Sequence, residues 1–234
     1  VPALAHAKTV GERKRQIEEL SRSRTEVYRR YLRVQAALTD LRSFVRHGGQ
    51  FPLSAHGRLN LYSLFTELAT RLINKTGFVV FLLPTGIVTD FSTRFLTQAL
   101  LERRQFVSVI DFDNRSRFFA DVQGNVQFCL LQLSAKPHSS FFVSTGVRDL
   151  EETAIQSNAF TLTHQDVRLM NPETKSIPMF TGVKDRQIIG EIYARLPTLQ
   201  DSDWHPVLRQ GSFNMTTGAH HFYRMKESDT LLPL

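Results

Sequence analysis

Few side chains in this sequence are spaced to do chemistry. Asp166, followed by Glu173-Thr174-Lys175, has the D…E-x-K order of metal-dependent nucleases, where carboxylates hold magnesium and a lysine stabilises the attacking oxygen. Asp166 is, however, expected on a short helix, and the Glu-x-Lys follows an Asn171-Pro172 turn instead of a strand. His220 and His221 are adjacent, which suits them poorly to one shared metal, and no further ligand cluster joins them. Thr85 and Thr89-Asp90 fall just past an expected parallel strand, at the end where open α/β sheets bind ligands. No G-x-G occurs anywhere in the chain. The single cysteine, Cys129, excludes an internal disulfide and a cysteine-based zinc cage, and fits a reducing, intracellular compartment.

Charge adds a second candidate chemistry, the binding of polyanions. The 234 residues carry 29 Lys plus Arg against 22 Asp plus Glu, and the excess is concentrated at one end. Residues 1–47 hold eleven basic and five acidic groups, or +6, whereas the other 187 hold 18 and 17, or +1. Such a field favours polyanions through counterion release, although charge alone does not separate nucleic acid from an acidic protein or from a solvated helix face. At 41% apolar and 22% charged residues the chain is expected to be globular, and no apolar run approaches the ~20 residues of a membrane-spanning helix. The opening Val1-Pro2-Ala3 has neither an initiator methionine nor a signal-peptide core and reads as a cut.

These groups need a scaffold. Residues 8–20 and 23–46 read as two helices, with Ser23-Arg24-Thr25-Glu26 as a capping box for the second. In that second helix Val27, Tyr31, Val34, Leu38, Leu41 and Val45 form an apolar seam expected to pack within the protein. A third helix spans 60–73. Phe78 to Leu83 is continuously apolar, as in a strand buried on both faces. A helix at 93–104 leads to a strand at 106–112, and 126–133 is a third strand reached without a helix, expected to be antiparallel. Lys136-Pro137 and the Ser144-Thr145-Gly146 region read as a boundary, followed by helices at 163–170 and 185–196. Nothing upstream of residue 78 reads as a strand, so the apolar strand there lacks a neighbour: either another segment supplies one or this is part of a larger domain.

Five stretches, in order, carry a family resemblance. They are Asn60-Leu61-Tyr62-Ser63-Leu64-Phe65, Phe81-Leu82-Leu83-Pro84-Thr85-Gly86-Ile87, Asp111-Phe112-Asp113-Asn114-Arg115 with Phe118-Phe119, Phe128-Cys129-Leu130-Leu131, and Leu169-Met170-Asn171-Pro172-Glu173-Thr174 through Tyr193-Ala194-Arg195-Leu196-Pro197. Together they resemble the N6-adenine DNA methyltransferases of type IIG restriction–modification and phage-defence systems, over about residues 8–199. The resemblance implies an α/β fold: the second half of a Rossmann-like class I methyltransferase sheet, with an N-terminal helical insertion and a small α+β extension. It divides the chain into a basic helical insertion (1–50), the C-terminal half of the catalytic domain (51–136), and a connection with the start of target recognition (137–234).

The same resemblance implies roles. Phe119, with Phe118 beside it, would stack a base swung out of the duplex. Asn60, Tyr62 and Phe65 would close over the adenine ring of S-adenosylmethionine. Arg115, Arg117, Thr85 and Thr89 would meet DNA, with Arg115 and Arg117 on phosphates. The implied partners are double-stranded DNA and a missing N-terminal half of the methyltransferase domain; the implied setting is the prokaryotic cytoplasm, with no membrane. The family's glycine-rich cofactor loop and its Asn-Pro-Pro-aromatic tetrapeptide do not occur here, since Asn171-Pro172 is followed by Glu173. This chain alone is therefore expected to be inactive in methyl transfer. A non-catalytic DNA-binding or partner-binding module built on half a methylase fold is the alternative.

Overall fold

The structure, a computed structural model, describes residues 6–7, 9–199 and 202–204. The chain divides into two compact units, Val1–Ile192 and Tyr193–Leu234. In the second, Trp204 is exposed, and the His220-His221 pair lies outside the described residues.

The first unit opens with helices α1 (Val10–Ser23) and α2 (Thr25–His47). The expected capping box at Ser23 is not formed. Ser23 belongs to α1, where its hydroxyl donates to the Glu19 carbonyl, and Glu26 pairs instead with Arg29 and Arg33. Thr9 caps α1 by accepting the Glu12 N–H. The apolar seam of α2 is also unpacked: no residue of that helix is buried, and Val27, Val34, Leu38 and Leu41 are exposed. Its period is correct for packing, yet no element of the described chain covers it.

Helix α3 (Leu61–Leu72) leads into strand β1 (Phe78–Pro84) through a turn in which the Asn74 side chain accepts the Thr76 N–H. A Cβ at Gly77 would lie 2.7 Å from Asn74 Oδ1 and would displace that amide from its bond to Thr76. The carboxylate of Glu67, buried on α3, accepts the Leu53 and Ser54 N–H groups and the Ser54 hydroxyl, which ties the preceding loop to the helix. A short helix α4 (Gly86–Thr89) and α5 (Arg94–Glu102) then cross to β2 (Phe106–Asp113). Strand β3 (Gln127–Ser134) follows a 13-residue loop, 114–126, without a helix.

Strand β3 inserts between β1 and β2, antiparallel to both, as its expected polarity required. The sheet does not stop there. β4 (Ser140–Val147) pairs parallel with β2, and β5 (Ala159–Thr163) pairs antiparallel with β4, giving the order β1-β3-β2-β4-β5. Five strands thus replace the three read from sequence, and the boundary expected near residue 136 falls in the β3–β4 turn of one sheet. The Ser/Thr/Gly texture that suggested a boundary belongs to a buried strand. Ser144 and Thr145 satisfy their hydroxyls by donating to the carbonyls of Ile155 and Phe180. Helices α6 (Glu152–Ser157), α7 (His164–Met170) and α8 (Val183–Arg195) complete the described elements.

One face of this mixed α/β sheet is covered. Ile87 and Val88 of α4, Leu96, Leu100 and Leu101 of α5, and Val167 of α7 pack on Leu83, Cys129, Leu131, Val109, Val143 and Leu162. The other face of β1 is open: Phe78, Val80 and Leu82 are 57%, 56% and 52% exposed. This corrects the expectation of a strand buried on both faces. β1 is an edge strand with β3 as its one partner, because no other segment of the described chain reaches it.

Cys129 tests this burial directly. Burial, and then the nearby Asp111 carboxylate, push its thiol up to about 12. The native protein should therefore give no reaction with an aromatic disulfide reagent at about pH 8, and one equivalent once denatured. Prompt native labelling would contradict the packing of β3.

Candidate nucleic-acid interface

The loop between β2 and β3 is organised by one side chain. Asn114 is fully buried at the start of a 3-10 turn (Asn114–Ser116) that Asp113 caps by accepting the Arg115 N–H. Its Oδ1 accepts the Phe119 N–H at 3.0 Å, and its Nδ2 donates to the carbonyls of Phe119, Val122 and Gln123 at 3.3, 3.1 and 3.3 Å. Arg117 takes the left-handed conformation (φ 59°) that turns the chain back, and its guanidinium donates to the carbonyls of Ala120 and Val122. The backbone of Phe119 is thus held through both its N–H and its carbonyl.

This loop rests on an aromatic cluster. Phe112 and Phe128 stack at 5.1 Å, and Phe118 meets both edge-on at 5.6 and 5.7 Å. Phe119 meets Phe128 edge-on at 4.9 Å and keeps 42% of its surface exposed. Two open apolar cavities, of about 320 and 280 Å³, flank the Phe119 ring; Phe118, Leu130 and Leu150 line the first, Pro84, Val122 and Val126 the second.

A third cavity, of about 420 Å³, is polar and lies at the adjoining ends of β2 and β4. Its floor holds two buried carboxylates with different environments. Asp113 accepts from Arg115 at 2.7 Å and from Arg148 at 3.1 Å, and these bonds, Arg115 first, hold its carboxyl far below the usual range. Asp111 accepts from the Thr85 hydroxyl at 2.5 Å and from the N–H of Gly146, a positive-φ residue of β4, at 3.3 Å. Burial nevertheless raises its pKa, these two bonds opposing the rise. Gln127 lines both this cavity and the apolar one beside Phe119.

The other candidate residues fall as follows. Thr85 was expected to meet DNA, but it is buried with its hydroxyl engaged by Asp111, so it faces the interior. Thr89 is half-buried and donates to the Thr85 carbonyl. Asn60 donates to the Tyr62 hydroxyl at 3.3 Å, and burial, followed by the Asp90 carboxylate, raises the Tyr62 pKa. Phe65 is exposed on α3, and none of Asn60, Tyr62 or Phe65 lines the three cavities above. The nuclease spacing is not assembled. Asp166 completes a capping box with Thr163 and pairs with Arg186 at 3.2 Å, while Lys175 bonds the Pro172 carbonyl. No group of three potential metal ligands occurs among the described residues.

Sequence reasoning passed over Asp113, Asn114 and Arg148. The first two sit inside a recognised motif, yet their task is to organise a loop and two guanidinium groups, which residue type alone does not reveal. Arg148 lies 35 positions from its carboxylate partner, with no local pattern to link them. Asn114 yields a test. Asn114→Ala leaves the Phe119 N–H without its partner and removes one donor from three carbonyls that keep others, and should destabilise the protein by about 1–3 kcal/mol. In the same variant, trypsin should cleave faster after Arg117, read by mass spectrometry of short digests. Unchanged cleavage would mean the loop is held by other contacts.

Residues 37–119 match the family model described as Eco57I restriction-modification methylase. No curated protein matches. Among solved structures, the type IIG restriction endonuclease BpuSI aligns at 11% identity and a TM-score of 0.40, covering 49% of this chain and 15% of that one. The methyltransferase subunit of a type I restriction-modification system from Streptococcus thermophilus aligns at 14% identity and a TM-score of 0.42, covering 58% of this chain and 34% of that one. The chain thus spans 15% and 34% of the length of these two proteins. Over residues 37–119 the chain is thus similar to the Eco57I restriction-modification methylase family.

Proposed function

We propose that this chain is the downstream part of a site-specific DNA methyltransferase of a restriction–modification or phage-defence system, transferring a methyl group from S-adenosylmethionine to adenine N6. The observation that carries this reading is Phe119. It closes the matched segment and presents a half-exposed ring on a loop pinned by Asn114, with apolar space on either side.

The chemistry explains why such a ring is needed. An adenine amine inside the duplex is out of reach, so the base must leave its stack and be held elsewhere. A rigid aromatic face recovers part of the lost stacking, about 1–3 kcal/mol per base. Phe118, turned edge-on into the Phe112–Phe128 pair, buttresses that face. Exposed Arg117, on the same loop, is the proposed neighbour of a backbone phosphate.

Methyl transfer itself needs more than this chain holds. The exocyclic amine is a poor nucleophile because its lone pair is delocalised into the ring. The Asn side chain and proline carbonyl of the family tetrapeptide accept its hydrogens, and neither partner is encoded here. Exposed Phe65, with Asn60 and Tyr62, fits one wall of a cofactor site and not a whole one, since the glycine-rich loop is also absent. S-adenosylmethionine would supply the electrophilic methyl group in the complete domain. The open edge and apolar face of β1 are where the missing half of that domain would dock, completing a Rossmann-like sheet in the cytoplasm of a prokaryote.

In the full-length protein, Phe119→Ala should weaken binding to a duplex with a mismatched target adenine about 10-fold or more, and leave binding to non-target duplex nearly unchanged. Equal losses on both would remove Phe119 from the base-holding role. Absence of methyl transfer from labelled S-adenosylmethionine to DNA by the wild-type protein would favour the non-catalytic module.

A further inference from the structure

The polar cavity beside Phe119 is built around an arrangement that protein stability alone does not call for. Arg148, 35 positions along the chain from Asp113, joins Arg115 on that one buried carboxylate. One cation would suffice to neutralise this buried carboxylate, and the second leaves the group with surplus positive charge. The geometry of the two arginines has another consequence. Asp113 offsets the repulsion between the two cations and takes Nε and one terminal nitrogen of Arg115, but only Nε of Arg148. The outer N–H groups are left pointing to solvent, with 69% and 63% of the two side chains exposed. The triad keeps a net charge of +1 in a fixed orientation, which suits an oxyanion with two or more acceptor oxygens.

We infer that Arg148 and Arg115, held as a pair by Asp113, clamp one phosphate of the DNA backbone next to the base held at Phe119. The choice of duplex DNA rests on the function proposed above. Position supports it, since Gln127 lines both this cavity and the apolar one against Phe119, so the clamp and the ring adjoin. Charge supports it too. Asp111 and Asp113 line the cavity floor and disfavour a free phosphate dianion seated deeply, whereas a singly charged phosphodiester at the rim meets only the arginine tips. Arg148 is therefore a binding residue, and Asp113 a positioning residue acting through the two arginines.

The test measures affinity of the full-length protein for a labelled random duplex of about 30 base pairs, by fluorescence anisotropy across a chloride series. Arg148→Gln should reduce the slope of log K against log salt by about 0.9, and so weaken binding about eight-fold near 0.1 M salt. Arg148→Lys keeps the charge but loses the fork and should recover less than half of that loss on a logarithmic scale. Asp113→Asn is the decisive variant. Removing a negative charge near DNA should tighten binding if charge alone matters, whereas loss of the clamp weakens it. Near-ultraviolet circular dichroism checks that this variant is folded; if it is not, the two Arg148 variants decide.

An unchanged slope in Arg148→Gln, full recovery in Arg148→Lys, or tighter binding by folded Asp113→Asn would overturn the clamp. Displacement of the duplex by low-millimolar inorganic phosphate at constant ionic strength would overturn its assignment to the DNA backbone. A wild-type protein with no salt-dependent affinity for duplex would instead overturn the underlying functional reading.

Discussion

The insertion of β3 between β1 and β2 sets the terms for everything around it. Because β3 is antiparallel to both neighbours, β1 and β2 run parallel but never touch, and the α4–α5 crossover spans a gap one strand wide. That crossover supplies Ile87, Leu96 and Leu100 to the core, while the loop leading into β3 must return from the end of β2 to the end of β1. The return path carries Phe118 and Phe119 across the ends of the strands. The aromatic loop lies where it does because an antiparallel strand must be entered from that end.

Asp113 and Asn114 are neighbours in sequence with separate tasks. Asn114 points inward and spends its amide on loop backbone, so the backbone of Phe119 is fixed by hydrogen bonds while its ring packs edge-on against Phe128. Asp113 faces the polar cavity and gathers side chains from just past the end of β4 and from its own turn. Buried polar groups of this kind are worth having only when fully satisfied, because a partly satisfied network costs more than an apolar one. Here each has its partners, and the apolar and polar cavities sit on either side of a single turn.

Much of the fold was legible because apolar spacing is a local signal. β1, β2, β3, α3 and α5 followed from it, and the polarity of β3 followed from the lack of a helix before it. β4 and β5 were not legible. Ser144, Thr145 and Gly146 look like loop residues until the carbonyls that accept their hydroxyls, and the Asp111 carboxylate that accepts the Gly146 N–H, are in place. The α2 seam failed in the opposite sense, with correct spacing but no element to cover it. In the site, Phe119 and Arg115 were named from a motif. The partnership of Arg148 with Asp113 depends on the parallel pairing of β2 with β4, which no local window contains.

The strand order also carries a consequence for synthesis. A ribosome delivers β1 first, then the crossover, then β2, and the strand that joins them only after that. Until Ser134 has left the exit tunnel, β1 and β2 have no hydrogen-bonding partner in each other, and Phe78, Val80 and Leu82 are as exposed as any nascent chain allows. Whatever stands upstream of β1 is the first surface it can meet. β3 therefore closes the gap after both its neighbours are made, and β4 and β5 then extend the sheet from β2.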